Sequence, residues 1–463
     1  MASKSKQASY MCTECGWTSL KWVGRCGECQ AWGTINESDP SGSSVRSRTT
    51  ALIPHSPAQP ITKVSAQASK KHSTGVAEFD RVLGGGLVAG VVVLLAGEPG
   101  IGKSTLLLDV SAQAARQAAE YGTSPVLYVT GEESAAQVRA RAQRIGALHE
   151  HLLLAAEADL SRILGHIEES RPSLLVVDSV QTIADPNVDG AAGGVAQVRA
   201  VASALVNVAK TKDLPVLLVG HVTKDGSIAG PRVLEHLVDV VCQFEGDKHS
   251  PLRLVRAVKN RYGATDEVGC FELTDSGIRE LPDPSGLFLS ARNHSVPGTC
   301  VTVTLEGRRP IPVEIQGLSV HAPGPARRTT SGIDSSRVAM MLAVLQSRLK
   351  VEFEKRDIFV STVGGAKALE PASDLAIALA LASSAADLPI APGVVAIGEV
   401  SLTGELRPVV GMRQRLAEAA RLGFSIAIVP ASSDISQPPA GLDVRLVRDL
   451  YEAAKNVLPP MRQ

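Results

Sequence analysis

Aromatic residues are scarce in this chain: Phe, Trp and Tyr together make up 3% of 463 residues. Its cores must therefore be filled by Val, Leu, Ile and Ala. Net charge is also missing, with 47 Lys and Arg against 47 Asp and Glu. No global field draws nucleic acid, so binding to it would need local basic patches or an assembly that gathers them. Long apolar runs are absent. The most apolar stretches, 87–96 and 375–382, fall short of the roughly 20 residues that span a bilayer. The opening MASKSKQASYMC has no apolar core of a secretory signal. A soluble, cytoplasmic protein is expected.

Cysteine is sparse outside one cluster. Cys242, Cys270 and Cys300 stand alone in apolar, strand-like segments and read as small buried residues. The other four, Cys12, Cys15, Cys26 and Cys29, form two CxxC knuckles ten residues apart. Two thiolates from each knuckle suit one tetrahedral Zn²⁺ with Zn–S distances of about 2.3 Å. Gly16, Gly24, Gly27 and Gly33 supply tight turns, and Trp17, Trp22 and Trp32 are the only tryptophans in the chain. So short a module needs a metal to fold. Residues 1–75 carry nine Lys and Arg against four Asp and Glu. Whether Lys21, Trp22 and Arg25 touch DNA or only complete the fold stays open.

The chain reads as a zinc module at 8–36, a Ser/Pro/Thr/Gln-rich linker at 37–70, an α/β domain at 71–284 and an α+β domain at 285–463. Apolar runs at 91–97, 125–131, 174–179 and 215–221 alternate with helical patterns at about 103–119, 134–144, 159–169 and 195–211. That alternation predicts a mainly parallel sheet with helices on both faces. Further strands are expected at 238–245 and 253–259, with a hairpin at 269–280. After a Pro/Asp/Ser/Gly break at 282–286, strands are expected at 299–307, 309–318, 357–363 and 394–400. Helices are expected near 333–349, 372–385 and 412–422.

Directly after the first apolar run stands Gly97-Glu98-Pro99-Gly100-Ile101-Gly102-Lys103-Ser104, followed by Thr105. The glycines let backbone amides turn inward around phosphates, Lys103 neutralises their charge, and the Ser104 hydroxyl suits Mg²⁺. The helix beginning there aims its positive end at the same phosphates. ATP and Mg²⁺ are the expected ligands. Asp178 ends an apolar strand and suits the same Mg²⁺, directly or through water, with a helix N-cap as the alternative. Glu132 closes another strand as a candidate to activate the attacking water, and Glu133 competes with it.

Four segments, 72–86, 128–134, 222–239 and 259–263, resemble bacterial RadA (Sms), the zinc-finger relatives of RecA in recombinational repair. The resemblance covers nearly the whole chain. The last motif, usually K-N-R-F-G, is Lys259-Asn260-Arg261-Tyr262-Gly263 here. The resemblance implies a RecA-type core with Glu132 as the water-activating glutamate. It also implies that His221 is a γ-phosphate switch into a DNA-binding loop, with a core histidine as the alternative. Lys259 and Arg261 would reach across to a neighbour's ATP, and Lys224 and Arg232 would touch DNA from loop 222–232. A homo-oligomeric, six-membered ring acting on single-stranded and branched DNA beside the RecA recombinase is implied as well. Residues 333–430 resemble the proteolytic domain of Lon, but Ala372 holds its serine position and Arg413 its lysine position. Alanine offers no nucleophile and arginine no base; Ser373 and Lys367 are misplaced. A retired protease serving as scaffold is expected. Arg308, Arg309, Arg327, Arg328, Arg348 and Lys350 could add a basic surface or be a solvated face. The expected function is a DNA-dependent ATPase of homologous recombination that drives branch migration. The alternatives are an ATP-dependent Lon-type serine protease and a nucleotide-gated recombinase adaptor without motor activity.

Overall fold

Val92–Gly97, the strand that delivers the glycine-rich loop, lies at the centre of a nine-stranded sheet, and all six of its residues are buried. The computed structural model describes residues 9–14, 17–38, 60, 62, 70–221, 234–246, 250–290 and 296–458. Cys15, Lys224 and Arg232 lie outside the described residues. The chain divides into two units, Met1–Ser65 and Ala66–Gln463.

In the first unit three short strands, Thr18–Ser19, Ser9–Cys12 and Ile35–Ser38, pair in that order. A knuckle closes on itself through Cys26 N–H to the Ala31 carbonyl and Gly33 N–H to the Gly24 carbonyl. The core is minimal: Cys12, Cys26 and Ile35, with Tyr10, Trp17 and Val23 packed around them. Trp22 and Trp32 remain exposed.

The second unit holds two large sheets. The first contains β1 (Val92–Gly97), β2 (Val126–Thr130), β3 (Leu152–Ala156), β4 (Leu174–Asp178), β5 (Val216–His221), β6 (Val240–Gly246), β7 (Leu252–Asn260), β8 (Val268–Thr274) and β9 (Gly277–Glu280). Its order is β9-β8-β7-β6-β1-β5-β4-β2-β3. From β6 to β3 every pairing is parallel, and from β6 to β9 every pairing is antiparallel. β1, β2 and β4 are buried along their whole length, as continuous β-branched and leucine runs between two helical layers should be. The helices α1 (Lys103–Tyr121), α2 (Ala135–Arg144), α3 (Leu160–Ser170) and α4 (Val195–Lys212) supply those layers. A capping box between Ser134 and Gln137 starts α2, and the Asp159 carboxylate caps α3, which satisfies amides a helix end leaves unpaired.

The second sheet runs β12-β13-β11-β10-β14-β15-β16. Its strands are β10 (Thr299–Glu306), β11 (Arg309–His321), β12 (Arg328–Ser331), β13 (Arg356–Thr362), β14 (Val394–Ala396), β15 (Ile426–Pro430) and β16 (Asp443–Val447). Helices α5 (Ser335–Leu349), α6 (Asp374–Ala386), α7 (Met412–Arg421) and α8 (Leu450–Val457) complete the region. The strand expected at 394–400 breaks after Ala396. Gly398 lies against the Pro430 ring, and Glu399–Val400 pairs instead with Leu406–Arg407. Four strands of the two large sheets, β3, β12, β15 and β16, were not expected from sequence. No helix among the described residues is long and apolar enough to cross a membrane.

The two sheets are joined through a buried ion pair. Arg309, at the start of β11, donates to the Glu78 carboxylate and to the carbonyls of Val268, Leu281 and Pro282. Glu78 also accepts from the Cys270 amide at 2.8 Å. The two side chains are 8% and 2% exposed, so removing one partner strands a charge out of water. Arg309→Met is expected to destabilise the chain by about 3 to 5 kcal/mol, and Glu78→Gln in the same chain should recover much of that loss. Urea unfolding of the three variants checks this.

Candidate nucleotide and zinc sites

The strands β1, β2, β4 and β5 run parallel, so their carboxyl ends share one edge of the sheet. Asp178, His221 and the Glu132 loop fall on that edge, whereas Lys259, near the end of the antiparallel β7, falls on the opposite one. Gly97 allows the turn out of β1, since a Cβ there would lie 2.6 Å from the Phe244 carbonyl oxygen. Gly102 has φ +113 and leaves no room beside Ile278. Between them Glu98, Pro99, Gly100 and Ile101 form the loop, and Lys103, Ser104 and Thr105 open α1 with no side-chain cap. The first amides of α1 are therefore available to an anion.

Lys103 is 3% exposed. Its amine donates to the carbonyls of Gly97 at 2.9 Å and Glu98 at 2.8 Å. Burial pulls its pKa down to about 8, while the charges of Asp178 and Glu132 push it back up. Asp178 is 6% exposed. Burial raises its pKa, opposed by hydrogen bonds from Ser104 and Tyr128. A buried carboxylate touching the Ser104 hydroxyl is a donor set that fits a hard cation such as Mg²⁺, with Ser104 and Asp178 as the residues that would hold it.

Glu132 lies just beyond β2. Its Oε1 accepts from the Ser179 hydroxyl at 2.5 Å and faces His221 Nε2 at 3.0 Å. Glu133, the competing candidate, is held instead by Arg141. Lys103, Ser104, Glu132, Asp178 and His221 thus come together. Ser179 and Tyr128 were missed by the sequence reading. A serine after a strand carries no signal, but a lone phenol in the run Val-Leu-Tyr-Val-Thr is a polar tip on a buried strand and could have been noticed.

Lys259 and Arg261 do not join this group within the protomer. The Lys259 amine donates to the carbonyls of Glu235 and Val238, just after the segment 222–233. Arg261 pairs with Asp239, a 3% exposed carboxylate that also binds Lys210 and the Val92 amide. Asn260 donates to the Val82 carbonyl and accepts from the Tyr262 amide. The Tyr262 carbonyl accepts from Lys71, and Gly263 approaches Gly84 closely. The motif's cations therefore face 234–239 while its other residues fasten to 71–86. A cavity of about 590 Å³ opens beside the glycine-rich loop, lined in part by Glu98, Glu245, Arg256, Glu306 and Lys367; Lys103, Glu132 and Asp178 do not line it.

In the C-terminal region Ala372 and Ser373 are buried, in a short 3-10 turn. The Ser373 hydroxyl is buried with no hydrogen-bond partner. Arg413 is exposed and bonds Ser436, whereas Arg415, two residues on, is buried against Glu370. Asp374 is paired with Arg337. Neither Ser373 nor Arg413 has a partner that could make it a nucleophile or a base.

In the first unit the sulfurs of Cys12, Cys26 and Cys29 lie within 4.8 Å of one another. The Cys12 and Cys29 sulfurs are 3.7 Å apart. Tetrahedral zinc with ~2.3 Å bonds places its sulfurs about 3.8 Å apart, so the cluster fits zinc.

Residues 62–227 match the AAA domain family, 10–37 the rubredoxin metal binding domain and 330–433 the subunit ChlI of Mg-chelatase. DNA repair protein RadA of Mycolicibacterium smegmatis is 52% identical, covering 99% of this chain and 98% of its own length. The proteins of that name from Pseudomonas aeruginosa and Bacillus subtilis are 45% and 44% identical, over 96% and 98% of this chain and 97% and 99% of their own lengths.

One zinc per chain is expected by metal analysis of the purified protein, falling to none in Cys26→Ser. Because all three tryptophans lie at 17–32, chelation of the metal should shift tryptophan emission to the red as Trp17 loses its packing.

Proposed function

For a chain that belongs to the RadA family of DNA repair proteins, with a RecA-like P-loop ATPase core, we propose a DNA-dependent ATPase of homologous recombination. It assembles as a ring, moves along single-stranded DNA and promotes branch migration of recombination intermediates alongside the RecA recombinase. The observation that carries this reading is the contact between Glu132 and His221. The candidate water-activating carboxylate touches the residue from which loop 222–232 departs. A change in that loop on meeting DNA would move the imidazole and hence the carboxylate.

The chemistry assigned to the chain's own residues is limited. Amides of the glycine-rich loop and of the start of α1 hold the phosphates. Lys103 leaves the Gly97 and Glu98 carbonyls for them, its charge favoured by the new anions. Glu132 accepts a proton from the water that attacks the γ-phosphorus, and Ser179 and His221 orient that carboxylate. Mg²⁺ between Ser104 and Asp178 would supply charge neutralisation on the phosphates. Lys259 and Arg261 are proposed to leave Glu235, Val238 and Asp239 for the nucleotide of a neighbouring protomer, which would make turnover depend on assembly. Lys224 and Arg232 are proposed as DNA contacts. Cys15 completes the proposed zinc set with Cys12, Cys26 and Cys29. The C-terminal region is proposed as a ring-forming scaffold. The protease reading gains no support from a buried Ser373 and an exposed Arg413.

Glu132→Gln should still bind ATP, while DNA-stimulated turnover drops on the order of 10² to 10⁴-fold. Lys103→Ala should lose both binding and turnover. Phosphate release with and without single-stranded DNA, beside a nucleotide-binding assay, checks both variants. An adaptor without motor activity would keep repair function in Glu132→Gln, and that result would overturn the motor.

A further inference from the structure

Tyr128 sits in the middle of β2, 1% exposed, beside Val176 of β4. Its ring packs in the same apolar cluster as Leu107, Val176 and Val219. A phenylalanine would satisfy that packing, so the hydroxyl is surplus to the core. It donates to Oδ2 of Asp178 at 2.7 Å.

A carboxylate at the end of a buried strand can rotate about its last bond, and only some rotations aim a lone pair at the Ser104 side. The bond from Tyr128, on the neighbouring strand β2, occupies one lone pair of Oδ2 and opposes that rotation. Both partners lie on interior strands of the sheet and the hydrogen bond between them is buried. Buried hydrogen bonds to a charged group are among the stronger ones, and partners of a metal ligand commonly set its affinity.

We propose that Tyr128 is the positioning residue for Asp178, its buried hydroxyl holding the carboxylate in the rotation that meets the divalent cation of a bound nucleotide. This rests on the nucleotide reading of the site. Tyr128→Phe removes one oxygen and keeps the ring. In the full chain, Mn²⁺ binding to the ADP complex is measured by electron paramagnetic resonance, and ADP binding without metal by a fluorescent analogue. The expected result is a roughly tenfold weaker Mn²⁺ affinity with metal-free ADP affinity unchanged. In turnover, the Mg²⁺ concentration for half-maximal rate rises, and excess Mg²⁺ restores most of kcat.

An unchanged Mn²⁺ affinity in Tyr128→Phe would overturn the proposal. So would a further loss when Tyr128→Phe is added to Asp178→Asn, because a pure packing effect would persist there. Should the single variant be less stable to heat, that double variant still decides: no added loss supports positioning. If the unaltered chain itself shows no metal-dependent ADP binding, the nucleotide reading fails instead.

Discussion

The structure turns on a buried amine. Lys103 is withdrawn from water, bonded to two carbonyls of the loop that precedes it, and faces the carboxylates of Asp178 and Glu132. A cation in that setting is poorly satisfied by neutral carbonyls and is stabilised by phosphate oxygens. The rest of the central sheet serves this arrangement. Parallel strands deliver Gly97, Asp178 and His221 to one edge, and the Glu132 loop to the same edge. The flanking helices exclude water from behind.

Buried arginines organise the second half of the chain in a comparable way. Arg309 ties the second sheet to Glu78 of the helix Ala77–Leu83 and to the Val268 carbonyl of the first sheet, and Arg415 ties α7 to Glu370 and to the carbonyls of Val303 and Val410. Arg256, only half-buried, bridges Glu245 and Glu306 across the same boundary. Each guanidinium spreads its donors over several acceptors, a geometry an ammonium group cannot match. The two sheets therefore meet through specific polar contacts as well as apolar ones. The glycine-rich loop lies close to that boundary, because Glu98 and Arg256 line the same cavity.

Much of this was legible from residue order. β1, β2, β4 and β5 are long apolar runs ending in chemistry-bearing residues, so period and position pointed the same way. The knuckle cysteines declared themselves by spacing. β3 was hidden because it is a five-residue edge strand, Leu-Leu-Leu-Ala-Ala, largely exposed, with no alternation to read. β15 and β16 are only five residues long, the second reached from the first through the Ser- and Pro-rich segment 431–442, and β12 is a four-residue strand of Arg, Thr and Ser. The partnerships of Tyr128, Ser179 and Asp239 were invisible for a different reason. Each joins residues brought close only by sheet register, 22 to 50 positions apart in the chain, which no local pattern encodes.

The most direct test is a structure of the full chain with Mg²⁺ and a non-hydrolysable ATP analogue. The account predicts phosphates against the amides of 97–105, with the Lys103 amine moved onto them and Glu132 and His221 on the γ-phosphate side. A nucleotide lodged elsewhere, for instance in the cavity lined by Arg256 and Lys367, with Lys103 still on the Gly97 and Glu98 carbonyls, would contradict it.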